Sequence, residues 1–309
     1  MTSPSSTALH WRTLVQMTRP GFLVITAVAC LLGTAVAAVC GHGPNAWTAL
    51  ATLVLAVLMH AAANVLNDYH DALNGADDAN TQGLFPFTGG ARLIQNGQVS
   101  AQDTHNLAKA LIVFLIPCGL LLAVKTGGGL MLLGLAGLLL GWAYSAPPLA
   151  LMKRGLGEAT VALTWGLVVV GADYVQRKHF FVIPSAVAVS FALLVGNILV
   201  INGFPDAVAD AQVGKRTLVV RLGTRHVSWL YLLVALLAHA WLAAGVWLFI
   251  HPEPALWGLA SMPLSVWAFM LLLKNADQPA RLAFAIVLTI AAAVVHGLAI
   301  SAGLLSLIF

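Results

Sequence analysis

Residues 64–78 read NVLNDYHDALNGADD and directly follow the apolar run AWTALATLVLAVLMHAAA of residues 46–63. Because each residue of a helix turns by about 100°, the side chains of Asn64, Asp68 and Asp71 share one helix face. Any one of these carboxylates alone is explained by a helix end that meets water. A set of them aligned on one face at membrane depth is costly and usually functional. The stretch therefore predicts a membrane helix that ends in a carboxylate-bearing site.

The composition excludes an ordinary soluble protein. Of the 309 residues, 60% are hydrophobic and 8% are charged, with a mean hydropathy of +0.90, whereas soluble domains carry about 25% charged residues. The formal net charge of +4 comes without a basic tract, which predicts no nucleic-acid partner. The three cysteines lie in apolar runs without disulfide or metal-ligand spacing, and no obligate protein partner is indicated.

The apolar segments predict an all-α membrane protein. We expect nine transmembrane helices around a central cavity, with cytoplasmic cap loops, in a single domain over residues 1–309. Residues 1–19 are predicted to form a cytoplasmic segment at the membrane interface, with Pro20 in the first turn of the first span. The predicted spans are 20–41, 47–68, 104–124, 128–146, 157–176, 182–203, 226–249, 255–274 and 281–308.

Lys and Arg residues set the expected orientation in the membrane. Of the 15 such residues, all but Lys125, Arg177 and Lys178 fall on one side of the predicted spans, together with the N-terminus. The N-terminus is therefore predicted to be cytoplasmic, and the C-terminus to lie on the opposite side of a bacterial cytoplasmic (inner) membrane. Function is expected in the two long connections on the cytoplasmic side, 69–103 and 204–225.

A second stretch, INGFPDAVADAQVGKRTLVVRLG at residues 201–223, has nearly the same pattern. Asn202, Asp206 and Asp210 follow another apolar span and share a helix face. Asn202 follows Asn64 by 138 residues, which indicates an internal duplication of a helical unit. Converging carboxylates repel one another unless a cation lies between them. Asp and Asn oxygens are the ligands of a hard divalent ion, so the two stretches predict Mg²⁺.

Basic residues are expected in the same cytoplasmic layer, namely Lys153, Arg154, Lys215, Arg216 and Arg92. Their ammonium and guanidinium groups are suited to phosphate oxygens that a metal leaves uncovered. A metal ion and cationic side chains together predict a diphosphate whose departure must be stabilised.

The motifs NVLNDYHD (64–71) and PDAVADAQVGKRTLVVRLG (205–223) resemble the two Asp-rich motifs of the UbiA superfamily of intramembrane prenyltransferases. The connector YSAPPLALMKRGLGE (144–158) is also similar to that family, and the likeness covers nearly the whole chain. Within the superfamily, NDYHDALNGADD and GKRTLVVRLG resemble the 1,4-dihydroxy-2-naphthoate polyprenyltransferases of menaquinone biosynthesis. The first motif lacks an Arg-Thr-x-x-Arg-Pro continuation, which argues against 4-hydroxybenzoate prenyltransferases and haem O synthases.

The resemblance implies Mg²⁺-dependent transfer of a polyprenyl group from an isoprenoid diphosphate to an aromatic acceptor, in contact with membrane lipid. It favours 1,4-dihydroxy-2-naphthoate as the acceptor, with another quinone or phenolic ring as the alternative. The implied metal ligands are Asn64, Asp68, Asp71, Asp77, Asn202, Asp206 and Asp210. The implied catalytic carboxylates are Asp68, Asp71, Asp206 and Asp210. The implied diphosphate contacts are Asn64, Lys153, Arg154, Asn202, Lys215, Arg216 and Arg92.

Ionising an allylic diphosphate produces a carbocation, which a water-free cavity protects and aromatic faces stabilise. Tyr144, Trp142 and Phe204 are predicted near the motif-bearing helix ends, and Trp165 and Phe191 are further candidates. Packing, or a belt at the membrane interface, is the alternative role for each of them.

Two other protein classes remain alternatives. Intramembrane Asp and Asn also form ion sites in cation-coupled transporters, but such sites lie near the bilayer midplane on broken helices. Here each carboxylate set falls at a cytoplasmic helix end beside Lys and Arg. A phosphatidyl-alcohol transferase would need a D-G-x-x-A-R run, which the sequence lacks. His60 and His296 lie in apolar spans without zinc-ligand spacing and are predicted to be buried side chains.

Overall fold

The computed structural model describes residues 10–81 and 83–308. All regular secondary structure within those ranges is helical, which confirms the all-α prediction. The α-helices are α1 (Trp11–Met17), α2 (Pro20–Val39), α3 (Ala46–Asn74), α4 (Ala76–Ala79), α5 (Ala101–Thr126), α6 (Gly129–Ser145), α7 (Gly157–Arg177), α8 (Val182–Gln212), α9 (Leu218–Trp247), α10 (Met262–Asn275) and α11 (Ala283–Leu305). Short 3₁₀ helices cover Leu151–Arg154, Glu253–Ser261 and Pro279–Arg281.

Within residues 10–81 and 83–308, eight helical segments are long and apolar enough to cross a membrane. They are α2, α3, α5, α7, α8, α9, α11 and the segment Glu253–Asn275, in which a 3₁₀ helix leads into α10. The chain is therefore an integral membrane protein. The predicted fourth span corresponds to α6, an apolar helix of 17 residues that is shorter than the other eight.

The N-terminal segment is described from His10 onward, and residues 1–9 of the predicted interfacial segment lie outside the described residues. α1 is a short helix that exposes Trp11. Pro20 is the first residue of α2, where its missing N–H costs no helical hydrogen bond. The predicted place of Pro20 in the first turn of the first span is confirmed.

The two motif-bearing helices run beyond their predicted ends. α3 continues past residue 68 and ends at Gly75, whose φ of 78° suits a left-handed helix cap. α8 continues past residue 203 to Gln212, with Pro205 inside the helix. A membrane helix tolerates such a proline because neighbouring groups satisfy the backbone carbonyl that it frees. The prediction that connections begin at residues 69 and 204 is therefore wrong, and the acidic residues stand on helix.

Contacts between helix ends show which termini share a side of the bundle. Arg19, just before α2, pairs with Asp68 near the end of α3. At the other end of the bundle, the Tyr174 hydroxyl of α7 accepts the backbone N–H of Gly129 at the start of α6. α2 and α3 therefore run in opposite directions, as do α6 and α7. Lys215, just after α8, pairs with Asp71 of α3, so the acidic ends of α3 and α8 lie on the side where α2 begins.

A buried apolar cluster contributed by α2, α7, α8, α9 and α11 forms the main core. Helices approach closely there through small residues, since a Cβ added to Gly33 of α2 would lie 2.2 Å from the carbonyl oxygen of Val169 in α7. Membrane helices associate by packing of this kind, because lipid tails are as apolar as their side chains. A second cluster joins α8 to α9, α10 and α11.

The large cavity of the protein is lined by α2, α3, α5, α6, α7 and α8. Within the described part of the chain, no residue of α9, α10 or α11 lines this cavity. The prediction of nine helices around a central cavity is therefore wrong in this respect. The physical reason is that the last three helices bury their apolar faces in the two core clusters, which they share with α8.

Candidate active site

A polar pocket of about 110 Å³ lies where α3 and α8 end. Its wall is completed by α4 and the connection that follows, by the start of α7, and by the segment before α9. The pocket adjoins the apolar cavity, which has a volume of about 760 Å³. The residues that line both spaces are Arg19, Asn67, Phe87, Tyr144, Leu199 and Asn202. The polar pocket, which carries charged side chains, therefore opens into the apolar cavity.

Lys215 joins the two acidic motifs. Its Nζ lies 2.8 Å from Oδ1 of Asp71 and 3.4 Å from Oδ1 of Asp210, and all three side chains are buried. Burial alone would lower the pKa of Lys215, but the two carboxylates outweigh it and raise the pKa above its ordinary value. A charged ammonium is therefore held between one carboxylate of α3 and one of α8.

Arg19 neutralises the first carboxylate of the first motif. Its guanidinium pairs with Asp68, which also accepts the backbone N–H of Ala91 at 3.1 Å. Burial alone would lower the pKa of Arg19, but the charges of Asp68 and Asp77 raise it. Asp68 does not itself line the polar pocket, whereas Arg19 does. Where Arg19 lines the pocket, the wall therefore carries a positive charge, and the Asp68 carboxylate lies behind the guanidinium.

The connection that follows α4 reaches both acidic motifs. Asn80 donates from Nδ2 to Oδ1 of Asp206 at 2.6 Å. Gly90 has a φ of 75°, and a Cβ there would lie 2.7 Å from Oδ2 of Asp77 and 3.2 Å from Oδ1 of Asp68. Glycine is required at this position because the backbone conformation is left-handed and the carboxylates leave no room for a side chain.

The pocket carries an excess of negative charge. Burial, together with repulsion from Asp71 and Asp68, raises the pKa of Asp77 to about 7. The carboxylates in or beside the pocket are Asp68, Asp71, Asp77, Glu158, Asp206 and Asp210. The cationic side chains that line the pocket are Arg19 and Lys215. The net negative charge is of the kind that a bound cation would neutralise.

The sequence matches the UbiA prenyltransferase family over residues 23–292. The chain belongs to this family. It is thus an enzyme, a prenyltransferase. The 1,4-dihydroxy-2-naphthoate octaprenyltransferase of Mycobacterium leprae is 31% identical to it over 239 residues, which cover 74% of this chain and 79% of the relative.

Two solved structures of UbiA homologues share the fold. The structure from Aeropyrum pernix K1 has a TM-score of 0.64 at 18% sequence identity, and the match covers 94% of this chain and 98% of that one. The structure from Archaeoglobus fulgidus, bound to GPP and Mg²⁺, has a TM-score of 0.61 at 15% identity, and the match covers 94% and 99%. At these identities the likeness establishes the helical architecture.

The donor set of this UbiA family member fits a divalent ion that is held together with a diphosphate. Among residues 10–81 and 83–308, no three Asp, Glu, His or Cys side chains converge as a ready-made metal site. Asn202 Oδ1 is buried where the pocket meets the cavity and has no hydrogen-bond partner among the residues that the structure describes. Mg²⁺ is usually bound through one or two carboxylates plus substrate phosphates and water. The unpaired amide oxygen of Asn202 and the carboxylates of α3 and α8 can supply part of such a coordination shell, with phosphate and water as the remaining ligands.

Several predicted diphosphate-binding cations lie away from the polar pocket. Lys153, Arg154 and Arg216 do not line it. Arg154 donates to a backbone carbonyl of its own loop at 2.7 Å, and the backbone N–H of Arg216 donates to the Lys153 carbonyl at 2.9 Å. Arg92 donates from Nη1 to the Asn80 carbonyl oxygen at 3.1 Å and so supports the connection after α4. Of the predicted cations, Lys215 alone lines the pocket.

The two predicted amide ligands have different surroundings. Asn202 lines both the pocket and the cavity, whereas Asn64 lines the apolar cavity and donates from Nδ2 to the Thr18 carbonyl at 2.9 Å. Two other amides accompany Asp71: Nδ2 of Asn67 donates to Asp71 Oδ2 at 3.1 Å, and Nδ2 of Asn74 donates to Asp71 Oδ1 at 3.0 Å.

The predicted aromatic candidates also separate into groups. Tyr144 lies at the junction of pocket and cavity, and Trp165 lines the cavity. Trp142 is 42% exposed and lines neither space. Phe191 and Phe204 are buried in the two core clusters, where packing accounts for them.

The pocket residues that had no place in the sequence-based site include Arg19, Asn67 and Asn80. Asn67 precedes Asp71 by four residues, so its position on the same helix face was a usable signal. Arg19 is the last residue of the segment 1–19 that the sequence predicts at the membrane interface. Asn80 meets Asp206 across the bundle, and no local pattern predicts a contact of that kind.

Proposed function

We propose that this enzyme transfers a polyprenyl group from an isoprenoid diphosphate to an aromatic acceptor in a Mg²⁺-dependent reaction. We favour 1,4-dihydroxy-2-naphthoate as the acceptor, which assigns the enzyme to menaquinone biosynthesis. The observation that carries the proposal is the junction of the polar pocket with the apolar cavity of about 760 Å³. A charged head group fits the first space, and a hydrocarbon tail fits the second.

The comparisons support both halves of the reaction. The Mycobacterium leprae relative is named for octaprenyl transfer to 1,4-dihydroxy-2-naphthoate. The Archaeoglobus fulgidus homologue was solved with GPP, a prenyl diphosphate, and with Mg²⁺. In this chain, the acidic pocket offers carboxylate and amide oxygens to Mg²⁺ and cationic side chains to a diphosphate.

At the polar end, we assign the metal ligands among the side chains that line the pocket, Asp71, Asp77, Asn202, Asp206 and Asp210. Mg²⁺, when bound, neutralises negative charge on the departing diphosphate. Asp68 acts through Arg19, which it holds at the pocket wall. Asn64, Lys153, Arg154, Arg216 and Arg92 remain predictions from the resemblance.

Lys215 and Arg19 bind the phosphate oxygens in this scheme. Charge-assisted hydrogen bonds from an ammonium or a guanidinium are stronger than neutral ones and strengthen as charge develops on the leaving group. Lys215 stays charged because Asp71 and Asp210 raise its pKa. The two acidic residues therefore serve both to bind metal and to hold the cation in place.

At the cavity end, the chain protects the reacting carbon. Apolar side chains from six helices line the cavity and exclude water, which would otherwise quench an allylic cation. The Tyr144 ring lies at the junction, where its face stabilises positive charge on C1 of the prenyl chain. The bond from C1 to the diphosphate oxygen breaks, and the electron-rich ring of the acceptor attacks C1. The ring then regains aromaticity by losing a proton or, for dihydroxynaphthoate, its carboxyl group as CO₂.

We further propose one domain over residues 1–309 and nine spans, with α6 as the short ninth span. The N-terminus and the connection after α4 lie on the cytoplasmic side of the bacterial inner membrane in this arrangement, and the C-terminus lies opposite. The excess of Lys and Arg on the side of the acidic motifs supports that orientation. The connection after α4 caps the site through Asn80 and Gly90.

The direct test uses membranes that carry the full chain, a radiolabelled polyprenyl diphosphate, Mg²⁺ and a panel of acceptors. We expect a lipid-soluble product with dihydroxynaphthoate, and less or none with 4-hydroxybenzoate or homogentisate. Asp71→Asn removes a carboxylate that touches Lys215 and is expected to abolish turnover. Asp78→Asn is the matched control, because Asp78 is exposed and does not line the pocket.

Two results would contradict the proposal. One is the absence of any labelled product from every acceptor, in an assay where the Mycobacterium leprae relative is active. The other is full turnover by the Asp71→Asn variant, which would show that the acidic pocket is not the reaction site. Product from an acceptor other than dihydroxynaphthoate would correct the acceptor alone.

A further inference from the structure

Three polar side chains form a cluster in the wall of the apolar cavity: Thr26 of α2, His60 of α3 and Trp165 of α7. His60 precedes Asp68 by eight residues, so it lies about 12 Å from that carboxylate along the helix axis. The imidazole and indole rings pack with centroids 4.7 Å apart and planes at 89°. The cluster is therefore separate from the diphosphate pocket and lies deeper in the bundle.

Thr26 fixes which ring nitrogen of His60 carries the proton. Other helical threonines in this bundle donate their hydroxyl to the carbonyl four residues earlier, as Thr52 and Thr164 do. In the described structure, the only hydrogen bond of the Thr26 hydroxyl is with Nδ1 of His60, at 2.8 Å. We assign the hydroxyl as the donor to Nδ1, because its hydrogen has no other acceptor in the described structure, and the imidazole proton then lies on Nε2.

Trp165 adds a second donor. Its indole Nε1–H is buried and has no hydrogen-bond partner within the described structure. Nε2 of His60 has no oxygen or nitrogen partner there either but, unlike the indole nitrogen, it is not fully buried and opens to the cavity that both residues line. Buried donors are rarely left unpaired, because losing a partner costs the full desolvation of the group. One buried unpaired donor beside a second donor that opens to the cavity indicates a ligand that brings oxygen to this wall.

We propose that His60 and Trp165 bind an oxygen substituent of the aromatic acceptor and so help to determine which acceptor is used. The inference rests on the proposed function. An isoprenoid tail is a hydrocarbon and offers these donors no acceptor atom. The diphosphate is held at the polar pocket, about 12 Å along α3 from His60. When the acceptor ring reacts at the junction of the pocket and the cavity, its oxygen substituent farthest from that junction points toward the wall that carries His60 and Trp165.

The test compares Trp165→Phe with the wild type in steady-state kinetics, using dihydroxynaphthoate and an analogue that lacks one hydroxyl. Phenylalanine keeps an aromatic face but removes the N–H. We expect KM for dihydroxynaphthoate to rise on the order of 3–10-fold, with KM for the prenyl diphosphate unchanged. Both possible monohydroxy analogues are tested. The rise in KM caused by Trp165→Phe should be absent with one of them, the analogue that lacks the oxygen bound by the indole N–H.

His60 is tested with two replacements. His60→Leu removes the donor and should raise KM for the acceptor, whereas His60→Gln retains an N–H near the position of Nε2 and should restore it. Thr164→Val is the matched control, because Thr164 lines the same cavity but its hydroxyl is already bonded to the Thr160 carbonyl at 2.8 Å. That variant should match the wild type.

Equilibrium binding of radiolabelled dihydroxynaphthoate to the purified full chain in detergent is measured in parallel. Weaker acceptor binding by Trp165→Phe and His60→Leu, but not by Thr164→Val, supports the inference. Unchanged binding and KM in both variants overturns it, and so does an effect confined to the prenyl diphosphate. A wild type that binds the acceptor but forms no product contradicts the proposed function instead, so the two failures are distinguishable.

Discussion

The ammonium of Lys215 lies 2.8 Å from Oδ1 of Asp71 and thereby ties the segment before α9 to the end of α3. The same ammonium reaches Asp210 of α8 at 3.4 Å. One cation thus makes direct contact with both acidic motifs, which are far apart in the chain. The pairs are buried, so the contact is little screened by solvent or salt.

Lys215→Met should reduce turnover on the order of 10²–10³-fold, because it removes a donor aimed at the departing diphosphate. The loss should appear in kcat more than in KM for the acceptor, and initial rates in membranes measure it. Lys109→Met is the control, since Lys109 is exposed on α5. Equal rates for the two variants would exclude Lys215 from the reaction.

Asn80→Ala should lower kcat/KM for the prenyl diphosphate about tenfold or more, the usual weight of a hydrogen bond to a charged group. The reason is that Asn80 orients the Asp206 carboxylate at 2.6 Å. Asn96→Ala lies in the same connection but is exposed, and it should behave like the wild type. A similar loss in both variants would point to the connection as a whole rather than to this contact.

The spans and the acidic faces could be predicted from the sequence because both are local patterns. Apolar length marks a membrane helix, and the helical repeat drew attention to Asp71 and Asp210, both of which line the polar pocket. The motif-bearing ends were predicted as loops because polar residues ended the apolar run. In the structure these polar residues continue the same helices, since their carboxylates face a protein pocket and not lipid.

The pairings across the bundle could not be predicted. Lys153, Arg154 and Lys215 have the same charge and fall in the same layer, yet of these three only Lys215 turns into the pocket. What separates them is loop geometry: Arg154 is held by a carbonyl of its own loop. Asn80 was missed for a related reason, because its partner, Asp206, is 126 residues away in the sequence.

Gly90→Ala should raise the Mg²⁺ concentration needed for half-maximal turnover. A Cβ there would lie 2.7 Å from Asp77 Oδ2, so the connection or the carboxylate must move. Gly97→Ala imposes a similar left-handed backbone, with φ of 68°, but meets nothing within 4 Å. Each substitution costs roughly 1–2 kcal/mol of backbone strain. If the two variants have the same Mg²⁺ dependence, the contact with Asp77 has no functional weight.

Gly33→Ala should destabilise the bundle by roughly 1–3 kcal/mol, because the added methyl overpacks the contact between α2 and α7. The Cβ would lie 2.2 Å from the Val169 carbonyl oxygen, and backbone cannot turn aside as a side chain does. Thermal unfolding in detergent measures the effect. Gly21→Ala is the control in the same helix, where a Cβ meets nothing within 4 Å. Equal unfolding temperatures would contradict the close approach.

The most direct test of the central claim, that both acidic motifs form one diphosphate site, is a double-mutant cycle. Mg²⁺-dependent binding of an unreactive thio analogue of the prenyl diphosphate is measured for the wild type, Asp71→Asn, Asp210→Asn and the double variant. Side chains that share one bound group show coupling energies of about 0.5–3 kcal/mol. We expect each single change to remove most Mg²⁺-dependent binding, and the second change to add little. Losses that simply add would contradict a single shared site.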